Sequence, residues 1–233
     1  MADKVLGGGD EVEGLNLALG PADADELEAA RVYFAAPCNF FYASQSLDQL
    51  PEPRGIELAF AGRSNVGKSS LVNAITGQNT LARASNTPGR TRQLNFFDLS
   101  GRLILVDMPG YGYAQAEKKV KEDWQGLMFN YLRGRPNLAR VALLMDGRIE
   151  VKESDLAVMD LLDKAAVTFQ IVMTKADGLK PGALARKTEE LTALARKHAA
   201  GFPQILVTSA RTGLGIPEAR AAFAALAPII SQG

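Results

Sequence analysis

Nine residues, GRSNVGKSS at 62–70, constrain this chain more than any other stretch. They fit the pattern G-x-x-x-x-G-K-[ST], which carries chemical meaning where a strand turns into a helix. The flanks supply that context. IELAFAG (56–62) is an apolar, strand-like run, and KSSLVNAIT (68–76) reads as a helix. Gly62 and Gly67 let the backbone between them, through Arg63, Ser64, Asn65 and Val66, turn its N–H groups inward around phosphate oxygens. Lys68 would contact the β- and γ-phosphates, and the Ser69 hydroxyl would bind Mg²⁺. The helix start adds the positive end of its dipole. This motif points to a nucleotide phosphate and leaves the base open.

The rest of the chain alternates in the way such a loop requires. LNFFDL (94–99) and RLILVDM (102–108) read as strands joined through Ser100-Gly101, a hairpin. ARVALLMD (139–146), VTFQIVMTK (167–175) and PQILVTSA (203–210) are further strands. Helical patterns fill 117–133, 155–165, the stretch after Pro181, and 216–226. The expected class is α/β: a mostly parallel six-stranded sheet with one antiparallel edge strand and helices on both faces, the P-loop NTPase arrangement. Residues 1–22 are rich in Gly and acids and read as a disordered acidic tail. Residues 23–55, with a short helix in DADELEAARVYF, lead into a nucleotide-binding domain at 56–233.

Composition narrows the function classes. No apolar run is long enough to cross a bilayer, and the N-terminus lacks the basic and apolar regions of a signal peptide. Cys38 is the single cysteine and His198 the single histidine. That argues against a Cys/His metal site and fits a reducing cytoplasm. His198, read on a basic helix, is expected at the solvated surface. Net charge is zero, yet residues 1–30 carry eight acids against Lys4 alone, so the remainder is net +7. A basic body suggests a polyanionic partner, nucleic acid first.

Three further motifs sit at strand ends. In TKAD, Thr174, Lys175, Ala176 and Asp177 follow a buried strand, where open α/β sheets bind ligands. Asp177 could accept from both N1–H and the N2 amino group of guanine, a donor pair that adenine lacks. The Lys175 stem could cover one face of the base. Thr208, Ser209 and Ala210 end the next strand and would offer a backbone N–H to guanine O6. In DMPG, Asp107 would hold Mg²⁺ through a water, and beyond Met108 and Pro109 the Gly110 N–H would reach the γ-phosphate; Lys68 and Gly110 are thus the catalytic candidates. Tyr111 comes next, where familiar switch proteins carry a glutamine that orients water. The loop NTLARASNTPGRTRQ (79–93) has the length of a γ-phosphate sensor. Thr87 and Thr91 both qualify there as the last Mg²⁺ ligand.

Taken in order, GRSNVGKSS, PGRT, DMPGYGYA, TKAD and TSA resemble the EngB (YihA/YsxC) family of bacterial GTPases, TRAFAC class, over roughly residues 35 to 228. The resemblance implies a G-domain fold and a GTPase of low intrinsic rate. It implies a switch in assembly of the large (50S) ribosomal subunit, and through that role normal growth, division and septation. It brings Gly89 and Arg90 into the nucleotide site and favours Thr91 over Thr87. The expected partners are GTP or GDP, ribosomal RNA and ribosomal proteins, with no membrane and a monomeric chain. Arg83, Arg90 and Arg92 would couple loop shape to RNA affinity. Asn65 occupies the position at which potassium-activated relatives such as the tRNA-modifying MnmE carry an asparagine that binds K⁺. A brace within the loop is the other reading of that residue. Two other classes remain: a P-loop kinase, for which no lid or acceptor base is evident, and a module that holds GTP without turnover.

Overall fold

The computed structural model describes residues 21–78, 81, 93–111, 126 and 128–227. Helix α1 (Ala24–Phe34) opens on a capping box: the Asp23 carboxylate accepts from Glu26 N at 2.8 Å, and Glu26 accepts from Asp23 N at 2.9 Å. Strand β1 (Cys38–Ser44) follows, then β2 (Ile56–Gly62), α2 (Lys68–Thr76), β3 (Leu94–Leu99) and β4 (Leu103–Asp107). Helical turns at 128–134 lead into β5 (Leu138–Asp146). The chain continues through α3 (Glu153–Ala165), β6 (Phe169–Thr174), α4 (Pro181–Ala195), β7 (Leu206–Val207) and α5 (Ile216–Ala224).

The sheet has seven strands in the order β1-β3-β4-β2-β5-β6-β7. The β2–β4, β2–β5, β5–β6 and β6–β7 pairs are parallel, and β3 runs antiparallel to both of its neighbours. The α/β class holds, and the strand count is corrected from six to seven. β3 is not the edge; β1 lies outside it. The physical reason is a register shift between Phe40 and Tyr42, which destroys the period-two pattern in CNFFYAS. The expected hairpin is present, with both Ser100 (φ 59°) and Gly101 (φ 70°) left-handed. This is the turn that matches strand twist.

Alternate residues of each central strand feed two apolar layers. Leu58 and Phe60 of β2 join Leu144, Val172, Phe223 and Phe34 on one face. Ala59, Val106, Val141, Ile171 and Tyr131 pack on the other with α3 and α4. Each large aliphatic or aromatic side chain so buried contributes about 1.5–3 kcal/mol. Met128 and Tyr131 lie on the buried face expected for 117–133; Val120, Trp124 and Leu127 lie outside the described residues.

His198 departs from its expected place. α4 ends at Ala195, and the chain turns so that the ring packs edge-on against Phe169 at 5.8 Å. Its Nδ1 lies 2.7 Å from Asp163 Oδ2, and the side chain is only 12% exposed. The helix α4 stops three residues before His198 although the basic residues run on through Arg196 and Lys197, so its helical face does not extend to that ring. No helix among the described residues is long and apolar enough to cross a membrane.

Candidate functional site: a phosphate loop tied to a base pocket

The parallel strands end on one side of the sheet, and the described motif residues lie in the last residues of these strands, in the loops beyond them and at the start of α2. At the phosphate end, β2 runs out at Gly62 and the chain swings round to Gly67, whose φ of 104° is open to glycine and poor for other residues. Lys68 then opens α2 and forms an ion pair with Asp107, the last residue of β4. Both side chains are largely shielded from solvent, at 13% and 5% exposed. A cation and an acid that were far apart in sequence therefore meet where the phosphates and their metal would lie.

The residues after Asp107 are stitched to the loop. Met108 N donates to Phe60 O (3.1 Å), Tyr111 N to Gly62 O (3.2 Å), and Ser64 N to Tyr111 O (3.1 Å). Pro109 and Gly110 bow out between these bonds. A Cβ on Gly110 would lie 3.2 Å from Ser64 N, so the backbone itself is pressed against the phosphate loop.

Tyr111 answers its own question. Its side chain is buried. The hydroxyl donates to Asp155 Oδ1 at 2.9 Å, and the other Asp155 oxygen accepts from Lys152 N at the start of α3. Burial first, then the Asp155 charge and hydrogen bond, push the phenol pKa well above its ordinary value. Tyr111 is an anchor between the phosphate loop and α3.

At the base end, Thr174 Oγ1 donates to Val66 O at 2.7 Å and so ties the two loops together. Lys175, left-handed at φ 57°, sends Nζ to Asn65 O (2.6 Å) and to Asp146 Oδ2 (2.9 Å). Burial alone would raise the Asp146 pKa. Hydrogen bonds from Arg148 and Lys175 outweigh it and bring the value down to about 2. Ala176 N donates to Thr208 O (3.1 Å), which joins TKAD to TSA. Asp177 accepts from Ser209 Oγ and from Arg211, whose Nε lies 2.7 Å from Oδ2. These bonds, Ser209 foremost, lower the Asp177 pKa. Thr208 N and Ser209 N are used on Met173 O and Leu214 O. Among the described residues no backbone acceptor takes the Ala210 N–H. A cavity of about 220 Å³ opens here, walled by Gly67, Leu71, Thr174, Asp177, Ser209 and Arg211.

Asn65 is exposed and left-handed at φ 63°, and no described residue hydrogen-bonds its side chain. Thr87, Gly89, Arg90 and Thr91, with Arg83 and Arg92, lie outside the described residues. Sequence reasoning passed over Asp146, Asp155 and Arg211. Arg211 could have been found, since it directly follows TSA; Asp155 could not, because its partner is 44 residues away.

A family model described as "50S ribosome-binding GTPase" matches residues 57–175. "Probable GTP-binding protein EngB" of Granulibacter bethesdensis is 67% identical over 204 residues, covering 88% of this chain and 92% of that protein. The chain belongs to the EngB family of GTP-binding proteins. Another EngB relative, from Gluconobacter oxydans, is 60% identical over 215 residues, covering 92% of this chain and 95% of that protein. The crystal structure of a probable GTP-binding protein EngB superposes with a TM-score of 0.60 at 23% identity. It covers 73% of this chain and 98% of that one, and supports the fold. GTP binding and the P-loop GTPase class follow from EngB membership.

Proposed function

We propose that this EngB protein is a Mg²⁺-dependent GTPase of low intrinsic rate. It acts as a monomeric switch in the cytoplasm during assembly of the large ribosomal subunit, and supports growth, division and septation through that role. The observation that carries the nucleotide part is the frame in which Thr174 and Lys175 hold the base-reading Asp177 and the Lys68–Asp107 pair on one rigid edge. The ribosomal part draws on the family description and on the basic body of the chain, suited to RNA phosphates.

The donor set fits a magnesium ion. Ser69 is a hydroxyl beside Lys68 at the start of α2, and Asp107 is a shielded carboxylate within reach of the same point. Ser69 would be the direct ligand, with Asp107 acting through water and Thr91 completing the set. Bound Mg²⁺ neutralises charge on the β- and γ-phosphate oxygens. Lys68 would hold those oxygens from the loop side, and the Gly110 N–H would meet the γ-phosphate. With Tyr111 turned into the core, no described side chain takes the water-orienting role of glutamine. This favours a slow basal rate, and it equally suits a module with little intrinsic turnover.

A single assay separates these readings: phosphate release from GTP and ATP, with and without large ribosomal subunits, in K⁺ and in Na⁺. Slow release from GTP, none from ATP, and stimulation by the subunits are expected; ATP turnover would indicate a kinase-like enzyme. The exposed Asn65 side chain is the candidate K⁺ ligand, and a monovalent cation there would stabilise charge growing between the phosphates. GTP release should then be faster in K⁺, and Asn65→Ala should remove the difference. Tyr111→Phe should leave the basal rate nearly unchanged while lowering stability by about 1–3 kcal/mol, because Asp155 loses a buried partner. Equal rates in K⁺ and Na⁺, with and without subunits, would exclude the cation and assign catalysis to the partner.

A further inference from the structure

Asp177 is the carboxylate that would read guanine, and it is already occupied. Arg211 Nε and Nη2 both donate to its Oδ2, while Ser209 Oγ donates to Oδ1. The carboxylate is 16% exposed, whereas the Arg211 side chain is 75% exposed and rises freely from the rim of the cavity. The two donors on Arg211 form a planar N–H fork. Guanine presents the same chemistry, with N1–H and the N2 amino group side by side. The protein thus carries a chemical likeness of the guanine edge on its own base pocket.

We infer that Arg211 is a built-in competitor for the guanine site, which holds Asp177 when the pocket is empty and must leave before the base can dock. This rests on the assignment of Asp177 as the guanine reader. Two physical consequences follow. Oδ2 of this mostly shielded carboxylate, which Ser209 does not reach, keeps a donor between nucleotides, which avoids the penalty of an unpaired shielded oxygen. The competitor also lowers the fraction of molecules ready to bind, which reduces the association rate in proportion. Arg211 is a positioning and specificity residue in this account, and it touches Asp177 rather than the bound base. Because its end of the pair is exposed, the effect is modest, about two- to fivefold, and it is screened by salt.

Stopped-flow binding of a fluorescent GDP to the full chain and to Arg211→Ala tests the idea. Arg211→Ala should associate about two- to fivefold faster at low salt, with an unchanged dissociation rate. The ratio between the two proteins should shrink toward one as salt rises. A faster dissociation with an unchanged association rate would overturn the inference, because it places Arg211 on the bound nucleotide instead. Identical rates at every salt concentration would overturn it as well. Failure of the unsubstituted chain to bind GDP at all would instead remove the Asp177 assignment on which the inference stands.

Discussion

Asp177→Asn should convert a GTP-selective pocket into one that prefers XTP, with GTP affinity falling by about 100-fold or more. On this reading the two guanine donors, N1–H and the N2 amino group, would converge on the Asp177 carboxylate. Replacing an acceptor oxygen with an NH₂ group sets donor against donor, and a desolvated base edge then has no partner. Xanthine carries a carbonyl at position 2 and accepts from that same NH₂. The surroundings of Asp177 sharpen the expectation. Ser209 Oγ already donates to one carboxylate oxygen, so the asparagine would keep its own oxygen toward Ser209 and turn its amide nitrogen to the base side. Competitive displacement of labelled GDP by GTP and XTP reads the outcome. Retention of GTP preference by Asp177→Asn would remove Asp177 from base recognition.

The second large effect lies at the opposite end of β2. Glu57, near the strand start, is 1% exposed. It accepts from Arg135 Nε (2.8 Å) and Nη2 (2.6 Å) and from Tyr131 Oη (2.8 Å). Arg135 also donates to Pro51 O at 2.7 Å. This cluster pins the end of the helical turns at 128–134 to the start of β2. Glu57→Ala leaves a buried guanidinium without its counter-charge and should cost about 3–5 kcal/mol, a drop of roughly 6–20 °C in Tm for a chain of this size. Nucleotide affinity at low temperature should hardly change, since five strand residues put Gly62 about 17 Å away. The double replacement Glu57→Leu with Arg135→Leu should recover most of the loss, because it removes both charges together. Thermal and urea unfolding measure this. A loss below about 1 kcal/mol for Glu57→Ala would mean that the cluster is solvated.

The site was legible where its chemistry depends on spacing along the chain. GRSNVGKSS, DMPG and TKAD each place backbone groups and one side chain at a strand end, and the sheet then brings the strand ends together. Their pairing across the fold was legible only in outline. Thr174 could be read as a nucleotide-site residue, but its bond to Val66 O spans 108 positions and needs the folded sheet. Tyr111 could be excluded as a water-orienting group from its phenol chemistry, whereas its role as an anchor needed Asp155. β1 was missed because its register shift scrambles the alternation that reveals strands, and His198 was misplaced because the pattern of α4 outlasts the helix itself. Local geometry is written in short motifs; tethers between motifs are written in pairs of distant residues with no pattern of their own.

The switch account is tested most directly by sedimenting the purified chain with large ribosomal subunits in a non-hydrolysable GTP analogue, in GDP, and without nucleotide. Association should be strongest with the GTP analogue, weaker with GDP, and reduced as salt rises, as expected for nucleotide-dependent contact with RNA phosphates. Equal association in all three nucleotide states would contradict it.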